Sequence, residues 1–264
     1  MTHSTPLNTA SEQWIQHPQG RLFARRWNSP ETSVGAPIVL MHDSLGCVEL
    51  WRDFPEALRS ATGRDVIAYD RLGFGRSDAR EGLPPNDFIS EEAAQVFPLV
   101  CDHFGIDRFV VLGHSVGGGM AVHCAAFMPA RCEALVTLSA QAFSEDITLD
   151  GVRQARGYFR KPEQLERLAR YHGDKARWVL DAWTERWLHP DFADWSLRDV
   201  LPRVQCPTLA IHGANDEYGS PRHPEMIGEL TGGPAQVHVM AGVGHMPHRE
   251  ASTQVLELVC GFLR

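Results

Sequence analysis

Short apolar runs alternate with amphipathic stretches along most of this chain. The runs are Pro37-Ile38-Val39-Leu40-Met41-His42, Val66-Ile67-Ala68-Tyr69-Asp70, Phe109-Val110-Val111-Leu112, Ala134-Leu135-Val136-Thr137-Leu138, Thr208-Leu209-Ala210-Ile211-His212 and Val237-His238-Val239-Met240. Each is brief and predicts a strand; the continuous run from Pro37 to His42 bears the mark of one buried on both faces of a sheet, and Phe109 to Leu112 reads as another buried strand. Helical spacing fills the gaps. Trp51, Phe54 and Leu58 mark one face of a predicted helix from Trp51 to Thr62, and Gly63 ends it. Ser90 predicts the N-cap of a helix reaching Phe104, with Glu91 and Glu92 near the positive end of its dipole. Gly117 to Phe127, Pro224 to Leu230 and Ser252 to Leu263 complete the helical set. Trp14 to Trp27 predicts an opening pair of strands turned at Pro18-Gln19-Gly20, and Asn28 to Ala36 a turn-rich loop. Strands alternating with helices imply an α/β fold with a mostly parallel, doubly wound sheet.

The rhythm breaks between 143 and 200. No short apolar strand occurs there, only amphipathic helical pattern with charges of both signs and the aromatic residues Trp178, Trp183, Trp187 and Trp195. This predicts a helical lid, 143–200, inserted into a core of residues 1–142 and 201–264. Composition fits an ordinary globular protein: of 264 residues, 43% are hydrophobic and 22% charged. The formal net charge of −8 argues against nucleic acid or an anionic membrane as partner. No apolar run approaches the roughly 18 residues of a membrane span. Met1 to Ser11 is polar, with no basic or apolar signal region, so a short disordered leader and a cytoplasmic location are expected. The 6 cysteines include no Cys-x-x-Cys pair and read as reduced small hydrophobes.

Chemistry enters where the third of these strands stops. Phe109-Val110-Val111-Leu112 runs into Gly113-His114-Ser115-Val116-Gly117 and then an alanine-rich helix. A serine on so sharp a turn has its hydroxyl pushed out of the backbone, and Gly113 and Gly117 lack the Cβ atoms that would clash across it. Serine is a poor nucleophile and needs a base that is itself oriented by an acid. Such groups gather at the carboxyl ends of parallel strands. Two later strand ends supply them: Gly213-Ala214-Asn215-Asp216 and Gly244-His245-Met246-Pro247.

With these two stretches, the elbow and Tyr69-Asp70-Arg71-Leu72-Gly73-Phe74-Gly75-Arg76-Ser77, the chain resembles the α/β-hydrolase-fold enzymes over essentially its whole length. The resemblance implies Ser115 as nucleophile, Asp216 as acid and His245 as general base, with no metal and no organic cofactor. His248 competes as base, but in these families the base directly follows glycine, as His245 does. It implies an oxyanion hole made by the amides of Val116 and of Ser44, in the loop His42-Asp43-Ser44-Leu45-Gly46. Asp43 stands where relatives usually carry glycine. A carboxylate facing an oxyanion would repel it, so Asp43 is expected to point away or to pair with Arg71 or Arg76. His114, His123, His212 and His238 read as locally packed rings without metal spacing. His114 is also a candidate for the substrate pocket, with Trp51, Trp178, Trp183 and Trp187.

The expected activity is hydrolysis of a small, apolar-leaning carboxylic ester or lactone. Relatives with the same triad cleave carbon–carbon bonds, thioesters or amides, or act as cofactor-free haloperoxidases. Epoxide hydrolases and haloalkane dehalogenases carry aspartate where Ser115 stands. A non-catalytic small-molecule-binding protein on this fold is the alternative from another class.

Overall fold

A computed structural model describes residues 10–29 and 33–264. The expected leader lies outside these residues up to position 9, and its end, Ala10 and Ser11, already belongs to a strand. Residues 30–32 of the expected loop also lie outside them. The strands are β1 (Ala10–His17), β2 (Gly20–Trp27), β3 (Ile38–Met41), β4 (Val66–Tyr69), β5 (Phe109–His114), β6 (Cys132–Leu138), β7 (Thr208–Gly213) and β8 (Ala235–Met240). They form one 8-stranded sheet in the order β1-β2-β4-β3-β5-β6-β7-β8. Only the β1–β2 and β2–β4 pairings are antiparallel; from β4 to β8 every pairing is parallel.

The helices are α1 (Phe54–Thr62), α2 (Phe88–Glu91), α3 (Phe97–Phe104), α4 (Val116–Phe127), α5 (Asp146–Tyr158), α6 (Pro162–His172), α7 (Ala176–Trp187), α8 (Arg222–Leu230), α9 (Pro247–Glu250) and α10 (Ser252–Phe262). Side-chain alternation splits the strands between two apolar layers. Ile38, Leu40, Val110 and Leu112 pack with Phe54 and Leu58 of α1 and Val255 and Val259 of α10. Val39, Met41 and Val111 face the other way, toward Phe97 and Val100 of α3 and Met120 of α4. Covering both faces is what lets the central strands be apolar throughout.

Three helix starts differ from the sequence expectation, α8 opening at Arg222 rather than Pro224. The helix expected from Trp51 opens instead as a tight 3-10 turn, Val48–Trp51, before α1, and Gly63 closes it at φ 68° as foreseen. The helix expected from Ser90 begins two residues earlier, because Phe88 and Ile89 are buried and anchor its first turn. Ser90 therefore caps nothing, and its hydroxyl donates to Asp87 O at 2.9 Å. A wide π-type turn, Glu92–Val96, joins α2 to α3.

Between β6 and β7 the chain forms α5, α6 and α7, and a single bridge between Phe143 and Ser196 ties the two ends of this excursion. Leu168, Ala176, Val179 and Leu180 bury against Phe74, fixing α6 and α7 to the turn after β4. Among the described residues no helix is long and apolar enough to cross a membrane.

Candidate active site

Ser115 joins β5 to α4 at φ 56° and ψ −126°, a left-handed conformation that costs an L-residue roughly 1–3 kcal/mol. The surroundings hold it there. Ser115 N donates to Leu138 O at 2.9 Å, and Gly118 N donates to Ser115 O at 2.8 Å. A Cβ on Gly113 would collide with the Gly117 carbonyl and stand 2.6 Å from Gly118 N. The glycines are thus what lets α4 pass so close to β5.

The ends of β7 and β8 bring Asp216 and His245 together. His245 Nδ1 donates to both Asp216 oxygens at 2.9 Å, and Tyr218 N donates to Asp216 Oδ1 at 2.8 Å. Burial opposes ionisation of Asp216, but the His245 hydrogen bond and charge and the Tyr218 amide outweigh it and hold its pKa down. Burial likewise opposes a charged His245, yet the Asp216 hydrogen bond and charge, with Asp43 behind them, raise its pKa. Because Nδ1 faces acceptors it carries the proton, which leaves Nε2 with a lone pair. His248 lies elsewhere: its ring packs on His114 at 4.7 Å and Trp51 at 5.0 Å, and burial drives its pKa far down.

The loop after β3 is pinned by its own backbone. His42 Nδ1 donates to Asp43 O at 2.8 Å, Arg71 Nη2 donates to the same oxygen at 2.9 Å, and Arg71 N donates to His42 Nε2 at 3.1 Å. The Asp43 carboxylate takes Leu45 N at 2.9 Å and His114 Nδ1 at 3.2 Å. Its partner is therefore a histidine, and the expectation of Arg71 or Arg76 is corrected. Arg71 reaches only the Asp43 carbonyl, and Arg76 pairs with Glu12 at 2.8 Å. His114 Nε2 donates to His245 O at 2.8 Å, so one ring links the serine turn, the Asp43 loop and the His245 loop. Burial opposes the Asp43 charge, but the His114 contact outweighs it and holds the carboxyl well below the usual range. The amides of Ser44 and Val116, the expected oxyanion donors, have no hydrogen-bond partner among the described residues.

Ser115, His245, Asp43 and Ser44 open onto one cavity of about 220 Å³. The candidate pocket residues divide. Trp183 and Trp187, one helical turn apart on α7, line it. Trp51 and His114 lie outside that lining, packed edge to face at 6.4 Å. Trp178 turns away, donating to Gly82 O at 2.8 Å with its ring on Phe74 at 5.5 Å. Trp195 stacks on Phe192 at 5.4 Å instead.

Sequence reasoning missed Gln141, Tyr218 and Arg249, which also line the cavity. Gln141 is buried and accepts the Ser115 hydroxyl at 3.2 Å. It follows a second strained turn, Ser139 at φ 46°, at the carboxyl end of β6. That strand-end position was the available signal. Tyr218 sets its ring 4.9 Å from His245, and burial pushes its pKa up to about 12.

The family model for the alpha/beta hydrolase fold matches residues 36–181. The chain is 30% identical over 268 residues to the dihydrolipoyllysine-residue acetyltransferase component of an acetoin cleaving system from Pseudomonas putida, covering 93% of this chain and 67% of that protein. It is 25% identical over 265 residues to a 2-hydroxy-6-oxo-2,4-heptadienoate hydrolase, also from Pseudomonas putida, covering 89% of this chain and 92% of that one. The crystal structure of proline iminopeptidase from Mycobacterium smegmatis superposes with a TM-score of 0.73 at 22% identity, over 96% of this chain and 97% of that one. A family match spanning more than half the sequence, on a mostly parallel sheet whose central strand ends in a strained serine turn, makes this chain a member of the alpha/beta hydrolase fold family.

Proposed function

We propose that the protein is a serine hydrolase cleaving a carboxylic ester or lactone of modest size and apolar character. One observation carries the reading. Ser115, on a left-handed turn, shares its cavity with His245, whose Nδ1 is held by Asp216 at 2.9 Å. In the resting state the Ser115 hydroxyl donates to Gln141. To react it turns to His245 Nε2 and gives up its proton as Oγ bonds to the acyl carbon. The carbonyl π electrons move onto oxygen, which the Ser44 and Val116 amides hold. Collapse of that intermediate expels the alkoxide, which takes the proton from His245. A water deprotonated by His245 then attacks the acyl-enzyme, releasing the acid and returning the proton to Ser115. Asp216 keeps the ring in the required tautomer throughout. Trp183, Trp187, Val152 and Leu45 give the cavity its apolar wall, which supports an apolar substrate portion. On this reading α5, α6 and α7 serve as the lid, and the enzyme works in the cytoplasm, where its free thiols suit a reducing compartment.

The reading is tested with p-nitrophenyl esters from acetate to octanoate, with Ser115→Ala as control. A burst of nitrophenolate followed by turnover, absent from the variant, is expected. Turnover that survives in Ser115→Ala sinks it. A second reading, hydrolysis of a carbon–carbon bond through the same groups, is favoured by the resemblance to the heptadienoate hydrolase. Labelling of Ser115 by a fluorophosphonate without ester turnover would favour that reading, and neither labelling nor turnover would favour a binding protein.

A further inference from the structure

Arg249 stands out among the charged groups around the Ser115 cavity. The cavity wall includes this guanidinium together with Ser115, His245 and Asp43. Its Nη2 donates to Leu50 O, the carbonyl just ahead of Trp51. Its Nε is buried and has no hydrogen-bond partner. No carboxylate lies within ion-pair distance of it among the described residues, whereas Arg26, Arg59, Arg64 and Arg80 each have one. Arg71, also without a carboxylate, is satisfied by the Asp43 carbonyl and by the Phe74 ring at 4.1 Å. Asp43 lines the same cavity but makes no hydrogen bond or ion pair with Arg249; its carboxylate accepts from the Leu45 amide and from His114.

A half-buried guanidinium with an unmet donor is costly unless something anionic completes it. The electrostatics agree. Burial pulls the Arg249 pKa below its ordinary value; Asp43 opposes this, and the neighbouring Arg52 charge adds to it. Arg249 is thus a cation on the wall of the Ser115 cavity that has the Asp43 charge nearby but no carboxylate in direct contact. Arginine also matches a carboxylate geometrically, offering two parallel N–H donors to its two oxygens.

We propose that Arg249 is an anion anchor and that the molecules this site accepts carry a carboxylate beside their apolar portion. The inference takes the Ser115 cavity as the substrate site, and to that extent it rests on the hydrolase reading. It narrows the substrate class from apolar esters in general to half-esters or lactone acids whose free carboxylate meets Arg249. Trp183 and Trp187 would then cover the apolar portion.

The test uses binding, so that it survives failure of the ester reading. The Ser115→Ala protein is titrated calorimetrically with 4-phenylbutyrate and with 4-phenylbutanamide, which share shape and differ in charge. A charge-assisted pair predicts that the carboxylate binds roughly tenfold or more tightly than the amide, a preference weakened by salt. Adding Arg249→Met should abolish the preference, the carboxylate losing roughly tenfold more affinity than the amide. Adding Arg249→Lys, which keeps the charge without the fork, should retain part of it. Equal affinity for the two ligands overturns the proposal. So does an Arg249→Met variant in which both ligands weaken together, since that is the behaviour of a tether to Leu50 and no more. Whether Ser115 is the nucleophile is read separately, from ester turnover.

Discussion

Gly117→Ala is the smallest change that probes how the serine turn and the Asp43 loop depend on each other. The added Cβ would collide with the Met41 carbonyl oxygen and would stand 2.6 Å from His42 O and 2.7 Å from Met41 C. These are backbone atoms of β3 and of the first residue of the loop, so no side chain can swing aside to relieve the contact. Reaching a tolerable separation requires α4 and β3 to part by about 1 Å in a core packed to crystal density. Overpacking of this kind costs about 1–3 kcal/mol, which in a chain of this size lowers Tm by roughly 2–6 °C. The displacement falls on the amides of Ser44 and Val116, whose separation changes by a similar amount. A misplacement of about 1 Å in a reacting geometry costs on the order of 10²-fold. The assay is calorimetric Tm together with kcat/KM on p-nitrophenyl acetate. Gly261→Ala is the control, because nothing lies within 4 Å of its added Cβ. Gly261→Ala should be neutral or slightly stabilising. A Gly117→Ala protein with Tm within about 1 °C of the parent and activity within twofold would refute the reasoning.

Other consequences of the site are as direct. Asp216→Asn leaves the ring packed but removes the charge and turns one of the two acceptor oxygens into a donor, so the His245 tautomer is no longer fixed. On p-nitrophenyl acetate kcat should fall by roughly 10³–10⁴-fold with little change in Tm. The acid limb of kcat/KM should have its midpoint above 6.5, the ordinary histidine value, because the Asp216 contact outweighs burial in raising His245. Asp43→Asn removes a negative charge that helps to raise it, so the limb should move to lower pH; an unmoved or upward-shifted limb contradicts the assignment. Gln141→Leu takes away the resting acceptor of the Ser115 hydroxyl, and phosphonylation of Ser115 should become roughly 2–10-fold faster. Slower phosphonylation would make Gln141 a support of the nucleophile instead.

The framework was legible in the sequence because short β-branched apolar runs bounded by turn residues favour strands, and glycine marks where backbones must touch. The run from Val237 to Met240 did not reveal that β8 is an edge strand with Val237 and Val239 exposed. That Asp216 and His245 would meet followed from their positions at the ends of successive parallel strands. The partner of Asp43 was not legible. His114 lies 71 positions away along the chain, and no local spacing announces such a pair. The wall of the cavity was half legible. Trp183 and Trp187 are spaced by four and share a face of α7, whereas Trp178, five before Trp183, points to another. Gln141 and Arg249 carried no motif, and only the three-dimensional closure of β6 and α9 around the cavity brings them to it.

The central claim is that Ser115 is the nucleophile, and its most direct test is reaction with a fluorophosphonate followed by intact mass and peptide mapping. The account predicts a single phosphonyl adduct on Ser115, formed with loss of ester turnover and absent from Ser115→Ala. An unmodified Ser115 in a protein that still hydrolyses esters, or turnover that persists in Ser115→Ala, would contradict it.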